Sequence, residues 1–439
     1  MFGYYLELAA RSLGRNLVLT VLVIAAIGVG IGASMTMLTT LVAMSSNPIP
    51  GKSSQLFVPQ FDVFGYASRS HAIRDINWDL TYRDAMAFMK AQLGTHQAAM
   101  YPLALNVKPP HADLFQASGR ATTSDFFTLF EAPFRSGAAW GSKDDSAGDN
   151  VVVLSAKLAQ RLFPNAEAVG GTVNLGKRDY RIIGVLGPWI VTPRYYDIGS
   201  GSFGETEDFY LPLSIAVARQ IETSNYDCDP TGLPAGWQAR LSSECPWLQF
   251  WVELPKATQV RGFRAFLANY AAQQQQLGRF KWLPLWALHD VPDWLAYARI
   301  VPNEVRINTM ISVGFMIVCL INAVGLMLAK FSSRAVELSV RRALGASRSD
   351  IFLQCLTEAL VIGLLGGFLG LGLTVAGLSA LRSLRGIATT DSAYGRLLAL
   401  NTQMVLITFG VAIIATICCG LYPAWRASRV PPVWQLKAQ

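Results

Sequence analysis

Histidine is almost missing from this 439-residue chain: His71, His96, His111 and His289 are the only four, and none stands at metal-ligand spacing from another. Neither GxSxG nor HExxH occurs, which leaves out the nucleophile elbow and the zinc-protease helix. Nucleotide-binding loops are also lacking. "SNPIPGKSS" has Ser46 where a phosphate loop needs its first glycine, and no strand precedes it. Gly199, Gly201 and Gly204 do form GxGxxG, but "ETEDFYLPLS" follows where a helix should open, so the segment reads as a flexible loop. The scattered carboxylates read as a solvated surface, and catalysis finds no support.

Charge is scarce too, at 15% of residues, and its gaps are informative. Arg15 and Lys52 bracket 36 uncharged residues, Arg306 and Lys330 bracket 23, Glu358 and Arg382 another 23, and Arg396 and Arg426 bracket 29. Roughly 20 apolar residues at about 1.5 Å each cross a bilayer, so each run is long enough to span. The first far exceeds the apolar core of a cleaved signal peptide. The predicted fold is four transmembrane helices, one plus three, with a large α+β extracytoplasmic domain inserted between the first and second. The predicted segments are a cytoplasmic segment 1–16, spans 17–44, 307–329, 353–381 and 397–425, the domain 45–306, a cytoplasmic loop 330–352, a short outer loop 382–396 and a cytoplasmic tail 426–439.

Residues 45–306 hold 24 basic and 24 acidic residues, so the net charge of +8 lies entirely beside the membrane segments. Ten basic residues (Arg11, Arg15, Lys330, Arg334, Arg341, Arg342, Arg348, Arg426, Arg429, Lys437) fall on one side, against Arg382, Arg385 and Arg396 on the other. The positive-inside bias puts both termini in the cytoplasm and the domain outside. The excess hugs membrane ends, which argues against nucleic acid.

Of six cysteines, Cys319, Cys418 and Cys419 fall in apolar runs and Cys355 at the cytoplasmic mouth of the third. Cys228 and Cys245 flank a Pro/Gly-rich loop with little apolar content to shape it. An oxidising compartment would pair them, contributing on the order of 3 kcal/mol.

Within the domain, Leu80, Ala85, Phe88 and Met89 recur at helical spacing, and so do Val260, Phe263, Phe266, Leu267 and Tyr270. Val151–Leu154 reads as a strand, and Ser155 as the cap of a helix that stops at Pro164. Thr172–Leu175 and Tyr180–Leu186 read as strands joined by a Gly-Lys turn.

The loop between the second and third spans carries the sharpest pattern. Glu337 and Arg341 form an i, i+4 pair, while Val336, Val340 and Leu344 line one face of an amphipathic helix. Gly345 suits a left-handed helix end, and Ser347 with Asp350 suits a cap opening the next helix. Such a helix fits docking into a groove on a cytoplasmic partner. Gly28 and Gly32 make a GxxxG pair, and Gly363, Gly366, Gly367 and Gly370 give the third span a smooth packing face. Glu358 is expected to stay near the interface, paired with Arg341, Arg342 or Arg348.

The run "RxxELxxRRALGAS" followed by "EAL…GGxxG" resembles the MacB/FtsX permeases, the type VII ABC transporters. "SDFFTLFEAPFRSGAAW", "VVVLSAKLAQRLFPNAEAVGGTV", "YRIIGVLG" and the tail "YPAWRASRVPPVWQLK" resemble the same family, over most of the chain except roughly 190–300. The resemblance implies a dimeric permease, of identical or related chains, without a fused ATPase domain. A separate cytoplasmic ATPase, which holds ATP and Mg, would bind at Arg334, Glu337, Arg341, Arg342, Gly345 and Ala346. It implies export of a peptide, antibiotic or siderophore from the periplasmic side of a bacterial inner membrane, by transmission of mechanical work to the outer domains rather than passage through the membrane, with a periplasmic adaptor and outer-membrane channel. An FtsX-like or lipoprotein-release regulator is the alternative within the family, and a membrane-anchored receptor or scaffold the alternative outside it. Two departures stand out: "VPPVWQLK" where the family reads "DPVEALR", and the Cys228–Cys245 loop.

Overall fold

The computed structural model describes residues 16–109, 113–141, 149–164, 166–228, 232–384 and 402–429, together with Gly14 and Asp145. Arg11, Arg15, His111, Arg385, Arg396, Lys437 and the tail from residue 430 onward lie outside the described residues. The chain divides into two compact units, Ser46–Ile300 and, from the two ends of the chain, Met1–Ser45 with Val301–Gln439.

The membrane unit contains four long apolar helices, α1 (Leu17–Met44), α10 (Asn303–Ser332), α12 (Arg348–Leu384) and α13 (Thr402–Ser428), with a short helix α11 (Ala335–Ala343) between α10 and α12. At about 1.5 Å per residue each of the four exceeds the roughly 30 Å hydrocarbon thickness. Polar side chains inside the bundle return their hydrogen bonds to their own helix: Thr36 donates to Gly32 O, Thr374 to Gly370 O and Thr416 to Ala412 O. That leaves no orphaned hydroxyl at these positions in a medium without water.

Glycine decides how closely these helices approach. A β-carbon on Gly28 would meet Leu369 at 2.8 Å and one on Gly32 would meet Leu373 at 2.6 Å. In return, one on Gly366 would meet Ile27 at 2.8 Å and one on Gly370 would meet Ile31 at 2.9 Å. Helices α1 and α12 thus exchange bulky side chains for glycine slots in both directions. Gly363 faces Thr416, and Gly367 would meet Ala412 at 2.8 Å, so a second glycine edge of α12 takes up α13. Helix α10 keeps an exposed apolar flank that includes Met310, Ile311 and Ile321.

The other unit is built on one mixed sheet in the order β11-β1-β10-β3-β4-β9-β6-β8-β5. Its strands are β1 (Leu56–Phe61), β2 (Leu80–Thr81), β3 (Gln97–Lys108), β4 (Phe115–Thr122), β5 (Phe134–Gly137), β6 (Val151–Leu154), β7 (Thr172–Leu175), β8 (Arg178–Leu186), β9 (Phe209–Pro212), β10 (Pro246–Glu253) and β11 (Trp286–Asp290). Strand β2 pairs β10, and β7 pairs β3 and β8; β4–β9 and β6–β8 are parallel and the other pairings antiparallel. Alternation along β6 shows why both faces are covered. Val152 and Leu154 enter one core, and Val151 and Val153 the other.

On the first face lie α3 (Tyr82–Ala91), α5 (Ala156–Leu162), α6 (Leu213–Ala218) and α8 (Ala257–Gln276), burying Phe88, Leu158, Ile215, Phe263 and Leu267. On the second lie α4 (Phe126–Leu129) and α9 (Val291–Tyr297), burying Phe126, Leu129 and Trp294. Two small helices, α2 (Tyr66–Ser70) and α7 (Trp237–Leu241), sit in connections. Local signals hold where chemistry is local. Ser155 Oγ accepts from Leu158 N at 3.1 Å, and the Gly176-Lys177 turn has φ of +58° and +69°, as a two-residue hairpin needs.

Candidate coupling site

Helix α11 has two unlike faces. Ala335, Leu338 and Ser339 are buried, and Leu338 packs in a cluster with Phe331, Ile351 and Cys355. Val336, Val340 and Leu344 stand out from the bundle at 62%, 47% and 83% exposure. The ends of the helix are closed by local chemistry. Gly345 N donates to Arg342 O and Ala346 N to Arg341 O, a paired closure that requires positive φ; Gly345 supplies it at +105°. The next turn opens α12: Ser347 N donates to Asp350 Oδ2 at 3.0 Å, and Asp350 N to Ser347 Oγ at 3.2 Å. Helices α11 and α12 therefore meet at a corner with fixed geometry.

Charged side chains tie that corner to the bundle. Glu337 accepts from Arg341 at 3.0 Å, and Arg341 also donates to Gln354 of α12 at 3.2 Å. Arg334 lies 3.4 Å from Glu337 and 3.1 Å from Glu358. Glu358 pairs with Lys330 at 2.8 Å, and Lys330 donates to Thr20 of α1 at 2.8 Å. The expected pairing of Glu358 with Arg341, Arg342 or Arg348 is thus replaced by Lys330 and Arg334. The helical offset explains this. Glu358 sits ten residues into α12, nearly three turns beyond Arg348, while the last turns of α10 bring Lys330 alongside it. Lys330 is fully buried and Glu358 is 2% exposed, so each charge depends on the other. Arg342 is half-buried on α11.

The remaining expected residues lie elsewhere. Gly28 and Gly32 face α12, and Gly363, Gly366, Gly367 and Gly370 face α13 or α1 as described. Cys228 and Cys245 are joined in a disulfide in the other unit.

That unit also holds two charge clusters that spacing did not reveal, and they correct the reading of its carboxylates as a solvated surface. Arg120, fully buried on β4, meets Asp197 and Glu207; Arg194 lies 3.6 Å from Glu207, and Tyr196 donates to it at 3.0 Å. Burial alone would raise both acids, but the Arg120 and Arg194 charges hold Asp197 and Glu207 below the usual carboxylate range. Gln249 accepts from Arg120 at 3.2 Å and donates to Asp79 at 2.8 Å. Asp79 forms no ion pair among the described residues, and burial, reinforced by the Asp197 charge, pushes it up to about 7. Arg279 similarly bridges Asp84 and Glu244. The loop carrying Gly199, Gly201 and Gly204 is tied down rather than free: Arg194 donates to Ser200 O and Glu205 O, each at 2.9 Å. No strand leads into it as a dinucleotide site requires, and β9 follows instead of a helix. One signal was visible for Arg120, an arginine between small residues in the strand FQASGRAT.

Sequence profiles match both units. One described as the MacB-like periplasmic core domain covers residues 20–265, and one described as the FtsX-like permease C-terminal covers 309–432. The chain belongs to the MacB/FtsX family of permeases. It is 24% identical over 312 residues to the macrolide export ATP-binding/permease protein MacB 2 of Aeromonas hydrophila subsp. hydrophila, covering 71% of this chain and 41% of that protein. With MacB of Escherichia coli (strain K12) it shares 23% identity over 448 residues, 98% of this chain and 60% of that protein. This MacB/FtsX permease therefore spans between about two-fifths and three-fifths of the length of these curated relatives. The periplasmic region of MacB from Actinobacillus actinomycetemcomitans is 15% identical, with a TM-score of 0.36, over 55% of this chain and 92% of that one. The extracellular domain of the ABC-type transporter YknZ from Gram-positive bacteria is 12% identical, with a TM-score of 0.34, over 53% and 99%. As a member of this family the chain is a membrane-spanning transport permease with a domain of periplasmic type.

Proposed function

We propose that this permease couples ATP hydrolysis by a separate cytoplasmic ATPase to movement of its periplasmic domain, and so drives export of a peptide, antibiotic or siderophore. ATP and Mg belong to that ATPase, and the docking element is α11. The single observation that carries this reading is the apolar stripe of Val336, Val340 and Leu344, exposed on a helix whose opposite side is buried and ion-paired. A stripe at i, i+4, i+8 fits a groove in a partner protein, with Arg341 and Arg342 beside it for acidic rim residues. Basic residues on the α11 side of the membrane segments favour cytoplasmic termini in a bacterial inner membrane. The exposed flank of α10 suits a second permease copy. Macrolide export in the names of two relatives supports an antibiotic-like cargo; a periplasmic adaptor and outer-membrane channel would receive it in this reading.

The test is co-purification of the full permease with a co-expressed cytoplasmic ABC ATPase from the same organism. Val340→Asp puts a charge into the stripe without touching the buried face, and should abolish the complex while the permease remains folded. An ATPase that binds Val340→Asp as it binds the parent chain would refute docking on α11.

A further inference from the structure

Burying ions among membrane helices is costly, and well-packed apolar residues of similar volume usually replace such a pair without loss of stability. A lysine with no exposed surface, held where leucine would pack, therefore calls for a reason other than stability. Its contacts supply one. The two oxygens of Glu358 go to different places: Oε1 to Lys330, which continues to Thr20 on α1, and Oε2 to Arg334, which continues to Glu337 on α11. One carboxylate on α12 thus stands between the helix proposed to meet the ATPase and the helix that leads into the periplasmic domain.

We infer that Glu358, with Lys330, is the joint through which displacement of α11 reaches α1. This rests on α11 being the docking helix. Charge pairs and hydrogen bonds with short contacts are stronger in a medium of low dielectric than in water, and they are directional. Among the described residues this end of α1 also carries an exposed hydrogen bond, from Asn16 to Ser333 Oγ at 3.1 Å. Past the joint, the glycine slots of Gly28, Gly32, Gly366 and Gly370 bind α1 to α12 for two further turns, so a pull at Thr20 moves α1 as a body. Glu358 and Lys330 are positioning residues in this account; neither touches nucleotide or cargo.

The decisive variant is Lys330→Met with Glu358→Leu, which replaces the ions by apolar residues and leaves Arg334 its contact with Glu337. A purely structural pair predicts that this variant behaves like the parent chain. Hydrogen exchange of residues 20–27 and 335–343, followed by mass spectrometry on the full permease with its ATPase, reads both ends of the joint. In the parent chain, ATP should change exchange at both segments. In the double variant the change at 335–343 should persist and that at 20–27 should fall at least tenfold, with ATPase binding within twofold of the parent. An ATP response at 20–27 that survives the double substitution would overturn the joint while leaving docking intact. Val340→Asp separates the two ideas, because an ATPase that still binds it removes the docking reading and the joint with it. In the permease alone, Glu358→Gln should raise exchange in both segments and Glu337→Gln in 335–343 only. No rise at 20–27 in Glu358→Gln would overturn the inference independently of any ATPase.

Discussion

The two units of this permease bury charge in opposite styles. In the periplasmic-type domain, Arg120 and Arg194 face Asp197 and Glu207, a balanced set that joins strand β4 to the loop before β9. Tyrosines and a glutamine occupy the remaining positions around it, so the cluster has little freedom to rearrange. In the membrane unit the ions form an open chain, Lys330 to Glu358 to Arg334 to Glu337 to Arg341, with each link on a different helix or turn. Closed clusters fix a loop, and open chains connect parts that are able to move. The glycines differ in the same way. Gly176 in the domain serves a turn at φ +58°, whereas Gly28, Gly32, Gly366 and Gly370 in the membrane unit let whole helices touch.

The comparison breaks most easily at Arg120. Arg120→Met leaves Asp197 and Glu207 buried without their main partner, which costs about 3–5 kcal/mol. The domain should lose its cooperative thermal transition, or show it many degrees lower, by circular dichroism. A variant melting within two degrees of the parent would show the cluster to be dispensable. Next comes Gly366→Leu with Gly370→Leu, which forces side chains into slots already filled by Ile27 and Ile31. Overpacking of this kind costs about 1–3 kcal/mol per site. The expected result is a permease that inserts but elutes as aggregated or heterogeneous particles on size exclusion.

A smaller effect is expected from Cys228→Ser with Cys245→Ser, because the bridge closes only a surface loop. Its removal should cost no more than about 3 kcal/mol. Proteolysis between the two positions should quicken while the sheet stays intact, and the parent chain should resist alkylation there until reduced. An effect of opposite sign, set by pH, concerns Asp79. Its pKa is raised in the folded state from 3.8 to about 7, so its contribution to stability is fully present below pH 3.8 and lost as pH rises through 7. Asp79→Asn should therefore melt a few degrees above the parent at pH 8 and level with it at pH 3.5. Asp197 and Glu207, held low by their arginines, work in the opposite sense in acid.

What was legible in the sequence was local or periodic. The four apolar runs, the strand Val151–Leu154, the Ser155 cap and the closure at Gly345 each depend on residues within a few positions, and they stand where spacing put them. The glycine edges of α12 were legible as edges, though which helix fills each one depends on bundle order. The partner of Glu358 was not legible, because spacing favours near neighbours and Lys330 lies 28 residues away across a helical corner. The Arg120 cluster was hidden for the same reason. Asp79, Arg120, Asp197, Glu207 and Gln249 are gathered by a strand order that runs β10-β3-β4-β9.

The glycine slots between α1 and α12 have a consequence for the making of this protein. Gly28 and the Leu369 side chain that fills its slot are separated by most of the chain. At a synthesis rate of about 5–20 residues per second, α1 leaves the ribosome roughly 20–70 s before the helix that fills its grooves. Through that interval the Gly28/Gly32 face lies bare in lipid, open to any other small-residue helix, including α1 of a neighbouring nascent copy. Biogenesis must therefore either shelter α1 until α12 arrives or exchange a premature partner for the right one, and the Lys330–Glu358 pair, which cannot form before α12 is made, favours the exchange.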